Sequence, residues 1–230
     1  MDKLSNDDIE NTKSRYQKRF DTFGHDQKSV GWGQKGRQTE RFKILADILN
    51  MNTQMQFNIL DIGSGFGDLY PFLLNSGFNI SGFVGYEIVP ELVNQGRIAY
   101  GNDNKFQLIH DEFLMAVIPN DYIFDVAFMS GCFNFKLLSD DNYVYIEKCL
   151  RKAYELCSIG ISANFLTNKV DYKEDYIFYS DPARIMDIAY GLSRRFLIDH
   201  SYFPFEFSIA IYKDQCYNKS YPVFNDQRFI

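Results

Sequence analysis

A glycine-rich segment, residues 58–70, constrains this chain more than any other, and it reads NILDIGSGFGDLY. A short apolar run ends at an acid, three glycines follow at alternate positions, and an amphipathic segment begins at once. This order predicts a buried strand, a tight turn and a helix. Glycines let the backbone approach a ligand closely, and the first N–H groups of a helix carry partial positive charge. The segment therefore predicts a site for a nucleotide-like ligand.

The spacing of the glycines narrows the class of ligand that the loop could bind. Gly63, Gly65 and Gly67 follow the pattern Gly-x-Gly-x-Gly, not the Gly-x-Gly-x-x-Gly of the dinucleotide fingerprint. Asp61 precedes them, and a carboxylate there repels a pyrophosphate but can accept hydrogen bonds from an ammonium group. The run DIGSGFG resembles the first motif of class I S-adenosylmethionine-dependent methyltransferases, whose loop wraps the amino-acid end of the cofactor. The resemblance implies that these residues and Ser64 bind S-adenosyl-L-methionine; a glycine turn in another α/β protein is the alternative for the motif alone.

The next strand ends in a second acid. Residues 80–86 predict a strand, and Glu87 follows it, twenty residues after Gly67. A carboxylate at this place can bind both hydroxyl groups of a ribose, and Ile88 beside it is assigned to the same site. A solvated charge is the usual interpretation of such a residue, but its occurrence together with the glycine turn favours a nucleoside site.

The third and fourth predicted strands, residues 106–111 and 123–131, also end at candidate binding residues. In the resembled family, an acid after the third strand and the apolar residues beyond it hold the adenine. The fourth strand leaves the sheet at the edge where ligands of α/β proteins bind. These two strand ends add five predicted cofactor-binding residues: Asp111, Glu112, Phe113, Ser130 and Gly131.

The last third of the chain decides the fold class. After a fifth strand (residues 159–165) and a helix that begins at residues 180–182, two strands at residues 196–199 and 205–212 are too close for a helical crossover. They must pair as a hairpin, so one of them is antiparallel. This ending is typical of the class I methyltransferase fold. We predict an α/β, Rossmann-like, doubly wound seven-stranded sheet with an antiparallel terminal strand.

The domain prediction is a single class I methyltransferase domain, residues 1–230. Residues 41–230 form its Rossmann-like core, and residues 1–40 form a helical and loop cap over the active site. The cap contains Trp32 between two glycines, where it either plugs the core or closes a pocket. This Gly-Trp-Gly element resembles a small bacterial group of such enzymes. Trp32 and Arg41 are assigned to the cofactor site.

Charge is unevenly distributed. The net charge of −6 argues against nucleic acid as a partner, but residues 11–43 contain nine Lys and Arg and three Asp and Glu. This segment is either a solvated helical face or an electropositive cap that attracts an anionic substrate. No apolar run approaches the ~20 residues that span a bilayer, and the first residues lack an apolar signal region. We therefore expect a cytoplasmic protein without a membrane partner. The four cysteines lack Cys-x-x-Cys spacing, which favours free thiols over a metal site.

Methyl transfer from a sulfonium is an in-line displacement, for which a protein mainly supplies alignment and exclusion of water. A base is needed only if the acceptor must lose a proton. The candidates are His200, Tyr202 and His25, from a set that also includes Asp199 and Tyr172. His200 is predicted just past a strand, and an ordinary histidine in a turn explains it equally well.

The predicted function is methyl transfer from S-adenosyl-L-methionine to N or O of a small polar metabolite, phosphorylated or sugar-derived, with S-adenosyl-L-homocysteine as product. One alternative is an NAD(P)-dependent oxidoreductase, which the glycine spacing and the terminal hairpin disfavour. Another is a partner subunit that binds S-adenosylmethionine without catalysis.

Overall fold

Strands and helices alternate along most of the chain in the computed structural model, which describes residues 4–31, 37–118, 123–138 and 141–214. The helices are α1 (Asn6–Phe23), α2 (Arg37–Ile48), α3 (Leu69–Asn75), α4 (Pro90–Tyr100), α5 (Asn142–Leu156) and α6 (Pro182–Tyr190). The strands are β1 (Gln56–Ile62), β2 (Asn79–Glu87), β3 (Phe106–His110), β4 (Phe124–Met129), β5 (Cys157–Leu166), β6 (Phe196–Phe203) and β7 (Glu206–Tyr212).

The strands form one seven-stranded sheet in the order β3-β2-β1-β4-β5-β7-β6. Neighbours from β3 to β5 pair in parallel, whereas β7 is antiparallel to both β5 and β6. The predicted doubly wound sheet and its terminal hairpin are therefore confirmed. Because β1 lies between β2 and β4, the chain order reverses there, and a crevice opens at the carboxyl ends of these parallel strands.

Two apolar layers enclose the sheet because its strand residues alternate between faces. On β1, Leu60 and Ile62 belong to one buried cluster, and Phe57 and Ile59 belong to the other. Helices α5 and α6 cover the first face, and α2, α3 and α4 cover the second. The sheet is thereby fixed from both sides, which makes its carboxyl edge a rigid base for a site.

Local signals in the sequence explain where several elements begin. Asp181 caps α6 by accepting a hydrogen bond from the Ala183 N–H, and Pro182 occupies the first turn, as predicted. Strand β6 is longer than predicted and includes His200, which was expected beyond its end. Beyond the predicted end, Phe203 pairs with Glu206 of β7 after a register shift that follows Asp199.

Within the described ranges, no helix combines the length and the apolar character needed to cross a membrane. Cys132, Cys149 and Cys157 are free thiols. Cys216 lies outside the described residues.

Candidate active site

The glycine loop after β1 is tied to the end of β2 by backbone hydrogen bonds. The N–H groups of Gly63 and Ser64 both donate to the Tyr86 carbonyl, at 2.9 and 3.1 Å. The Gly65 N–H donates to Oε2 of Glu87 at 2.9 Å. The loop therefore has a fixed path before any ligand arrives.

Positive φ angles explain why this loop needs glycine. Gly63 has a φ of 68° and Gly67 a φ of 80°, a region that residues with a side chain rarely adopt. A Cβ atom on Gly63 would lie 2.5 Å from Cβ of Cys132, and one on Gly67 would lie 2.7 Å from Cζ of Phe106. The glycines thus let the loop pack closely against the protein itself, and their approach to a ligand stays a prediction; Gly67 is not among the described residues that line the cavity.

An open cavity of about 1000 Å³, including its mouth, lies at the carboxyl edge of the sheet. Strand ends and loops at this edge form its floor, and the N-terminal segment forms one wall. The predicted cofactor-binding residues that line it are Asp61, Gly63, Ser64, Gly65, Glu87, Ile88, Phe113, Ser130 and Gly131. The other lining residues are Leu4, Thr12, Tyr16, Val30, Gln38, Phe42, Ile62, Leu92, Cys132, Phe135, Leu137 and Tyr145.

Two nearly buried carboxylates face this cavity: Asp61 is 3% exposed and Glu87 is 8% exposed. Burial raises the pKa of Asp61 well above its ordinary value, and the charges of Glu87 and Asp68 raise it further. Burial also raises the pKa of Glu87, although hydrogen bonds from the N–H groups of Val89 and Gly65 oppose that shift. A cation or a hydroxyl donor entering the cavity would stabilise the ionised carboxylates.

The turn after β3 brings one of its three predicted residues to the cavity. Phe113 lines the cavity, whereas Asp111 is exposed and accepts from the Glu112 N–H at 2.8 Å. The Glu112 carboxylate accepts from the N–H groups of Leu114 and Met115, at 3.2 and 3.1 Å. Asp111 and Glu112 therefore organise the turn that holds Phe113 in place.

A buried polar network supports the turn after β4. The Gly131 N–H donates to Oδ1 of Asn164 at 2.7 Å, and Nδ2 of Asn164 donates to Oε1 of Glu206 at 2.7 Å. Arg41 forms a buried ion pair with Glu206 at 2.6 Å. Arg41, predicted at the cofactor site, is not among the described residues that line the cavity, because its guanidinium is held by this carboxylate. Ser130 does line the cavity, and its buried Oγ has no hydrogen-bond partner in the described part of the chain.

The N-terminal segment forms a wall of the cavity through residues from α1 and from the turns around it. The Tyr16 ring packs edge-on against Phe135, with ring centroids 5.4 Å apart. Burial raises the pKa of the Tyr16 hydroxyl, which stays protonated at neutral pH. Trp32, assigned to the cofactor site from the sequence, lies outside the described residues, as does most of the Gly-Trp-Gly element.

The three candidate bases are not brought together, and none is among the described residues that line the cavity. Nε2 of His25 lies 3.2 Å from Oδ1 of Asp68. His200 is exposed on β6, and the Tyr202 hydroxyl is bonded to Oγ of Ser208 at 2.7 Å. Burial raises the pKa of Tyr202, which disfavours its phenolate. A role for these side chains in proton removal stays a prediction.

The sequence did not identify several residues of the site. Phe135 and Leu137 come from irregular backbone after β4, and Gln38 belongs to the first turn of α2. Gly85 was also missed: a Cβ there would lie 2.7 Å from Oγ of Ser64. Its signal was a glycine inside a strand pattern, which often marks close approach of another backbone.

Comparison with known proteins identifies a curated relative. A protein of Mycobacterium tuberculosis (strain ATCC 25618 / H37Rv), named "Putative methyltransferase Rv1506c", is 30% identical over 169 residues. The match covers 71% of this chain and 97% of the relative. No family model matches the chain.

Solved structures share the fold at low sequence identity. Magnesium protoporphyrin IX methyltransferase from Synechocystis PCC 6803, with bound SAH, has a TM-score of 0.63 at 11% identity and covers 90% of this chain and 99% of its own. The N-methyltransferase NodS from Bradyrhizobium japonicum WM9, in complex with S-adenosyl-L-homocysteine, has a TM-score of 0.65 at 9% identity and covers 89% of this chain and 100% of its own. Both likenesses are at the level of the fold.

Proposed function

The chain belongs to the methyltransferases and has the class I methyltransferase fold, and we propose that it transfers a methyl group from S-adenosyl-L-methionine to N or O of a small polar metabolite. The observation that carries this proposal is the pair of buried carboxylates, Asp61 and Glu87, beside a glycine loop in one cavity. A cavity of this charge suits a cationic nucleoside better than a dinucleotide with its anionic pyrophosphate.

Three residues that line the cavity have roles in the proposed complex with S-adenosyl-L-methionine. Asp61 would accept hydrogen bonds from the ammonium group of the cofactor's amino-acid end. Glu87 would accept from the ribose hydroxyls, and Phe113 would pack against the adenine. Because burial raises the pKa values of both carboxylates, binding of a cation would favour their ionised forms.

The cofactor supplies an activated methyl carbon, so the protein's contribution is mainly alignment. When bound, the cofactor would supply a methyl carbon that exchanges its bond to sulfur for a bond to the acceptor atom, with S-adenosyl-L-homocysteine as the thioether product. The wall formed by Tyr16 and Phe135 would exclude water and orient the acceptor, which lowers the barrier by fixing the line of attack. An acceptor that must lose a proton would pass it to water or to a base; His25, His200 and Tyr202 remain candidates for this step.

We further propose that the acceptor is anionic, for example phosphorylated or an acidic sugar derivative. The support is the excess of positive charge in residues 11–43, a segment whose uncharged residues Thr12, Tyr16, Val30, Gln38 and Phe42 line the cavity. Attraction by such a surface raises the local concentration of an anionic substrate.

Isothermal titration calorimetry with S-adenosyl-L-homocysteine and with NAD tests the cofactor. We expect heat of binding for S-adenosyl-L-homocysteine, and its loss in Asp61→Asn. Tight binding of NAD with no heat for S-adenosyl-L-homocysteine would instead support an oxidoreductase. Incubation with labelled S-adenosyl-L-methionine and pooled metabolites should then yield a labelled product; binding without any product would support a non-catalytic partner subunit.

A further inference from the structure

Arg15 lies against two aromatic rings, one of which, Phe135, lines the cavity. Its guanidinium carbon lies 4.2 Å from the ring centroid of Phe135 and 4.8 Å from that of Tyr176. The two rings stand on paired backbone, because the Lys136 N–H donates to the Tyr176 carbonyl at 3.1 Å. Cation–π contacts of this kind fix the plane of the guanidinium.

One end of this guanidinium has nothing to bind. Nη1 of Arg15 is buried and has no hydrogen-bond partner among the described residues, and no carboxylate of that part of the chain forms an ion pair with it. Burial lowers the pKa of Arg15, and no acid is among the groups that oppose the shift. A buried, charged donor without a partner is costly to the protein, and an anion would remove that cost.

Two other cations near α1 have an ion-pair or hydrogen-bond partner. Lys13 pairs with Glu10 at 3.2 Å. Nε of Arg19 donates to the Lys28 carbonyl at 2.9 Å. Arg15 therefore stands apart from them in combining burial with an unused donor.

The position of Arg15 connects it with the acceptor side of the cavity. Phe135, which carries the guanidinium, lines the cavity, and so do Tyr16 beside Arg15 and Thr12 one turn earlier on α1. Arg15 itself is not among the described residues that line the cavity; it contacts the lining residue Phe135 from α1, whereas Asp61 and Glu87 line the cavity at the sheet edge.

We propose that Arg15 is a specificity-determining residue that binds an oxyanion of the methyl acceptor, a carboxylate or a phosphate. The inference rests on the proposed function for the identity of the ligand as an acceptor, but the anion site itself is testable alone. A planar guanidinium held by aromatic rings suits an oxyanion, because its N–H groups form a fork that matches two oxygens.

The test is thermal unfolding in sodium phosphate, sodium acetate and sodium chloride at equal ionic strength, with and without S-adenosyl-L-homocysteine. At ten times the dissociation constant, an anion that binds the folded protein should raise Tm by about 3 to 6 °C over chloride. Wild-type protein should show this shift with phosphate or acetate, and the more effective anion identifies the group. Arg15→Gln should lose the shift, whereas Lys18→Gln, which removes another cation from the same helix, should keep it.

A second measurement avoids variants. Phenylglyoxal modifies arginine side chains, and mass spectrometry measures the rate at each residue of the wild-type protein. The rate at Arg15 should fall at least about threefold in the effective anion, because a bound ligand occupies the reactive guanidinium. The rate at the exposed Arg151 should not fall. An equal anion shift in Arg15→Gln, or no anion-specific shift and no protection in wild type, would overturn the proposal. Failure of S-adenosyl-L-homocysteine to bind would count against the proposed function instead, since the anion measurements without that nucleoside still decide the role of Arg15.

Discussion

The buried ion pair between Arg41 and Glu206 gives the sharpest test of how the sheet edge is held. Their side chains are 3% and 1% exposed. Nε of Arg41 donates to both carboxylate oxygens at 2.8 Å. Oε1 of Glu206 also accepts from Asn164, which in turn binds the turn at Gly131. Removing the cation would leave a buried carboxylate with only neutral donors.

Arg41→Met should therefore be strongly destabilising. Breaking a buried pair by removing one partner costs about 3 to 5 kcal/mol. For a chain of this size each kcal/mol corresponds to about 2 to 4 °C in Tm, so we expect Tm to fall by about 6 to 20 °C. The double variant Arg41→Met/Glu206→Gln should recover more than half of the loss, because the glutamine removes the unpaired charge and can still accept from Asn164.

Urea denaturation followed by circular dichroism measures the free energies of unfolding of the single and the double variant. Lys43→Met is the matched control: it removes a cation from the same helix, but Lys43 and its partner Asp47 are 61% and 57% exposed, so the change should be too small to detect. The reasoning is refuted if Arg41→Met costs less than about 1 kcal/mol, or if the double variant is no more stable than the single one.

Three further changes test the site. Asp61→Asn should weaken S-adenosyl-L-homocysteine binding by about tenfold or more in calorimetry. Wild-type affinity should fall as pH is lowered, because the raised pKa of Asp61 makes its carboxylate the first to be protonated. The affinity of the variant should depend less on pH. Gly63→Ala should cost about 1 to 3 kcal/mol more in urea denaturation than Gly77→Ala, since both glycines have positive φ but an added Cβ would meet a neighbour, at 2.5 Å, only at Gly63; equal losses would contradict the packing argument. Asn164→Ala should cost about 1 to 3 kcal/mol of stability and lower the affinity for S-adenosyl-L-homocysteine severalfold by freeing the Gly131 N–H, and an unchanged affinity would show that this turn needs no anchor.

Much of the fold could be predicted because its signals are local. The apolar runs indicated the strands, and the short separation of residues 196–199 and 205–212 required an antiparallel pair. Strand ends were less predictable, since they depend on pairing: β6 continues past its predicted end to Phe203, which pairs with Glu206 of β7 after a register shift.

The residues of the site also differ in whether the sequence could predict their place. Asp61 and Glu87 could be placed together because the carboxyl ends of parallel neighbours meet at one edge of a sheet. Arg41 could not, because its partner Glu206 lies 165 residues away and only the folded sheet brings them into contact. Arg15 was visible as one cation in a basic segment, but its special state depends on a non-local contact of α1 with the ring of Phe135.

The acidic side chains and Arg15 lie on different elements, and this separation affects how the proposed reaction would bind its substrates and release its products. Asp61 and Glu87 line the cavity at the sheet edge, whereas Arg15 lies on α1 against the lining residue Phe135, and no ion pair joins the two sets within the described residues. A cationic cofactor and an anionic acceptor bound there would also attract each other in a partly desolvated space. Methyl transfer converts the sulfonium to a neutral thioether, so this attraction disappears when the products form. The charge that favours assembly of the reacting pair would therefore not hold the two products together.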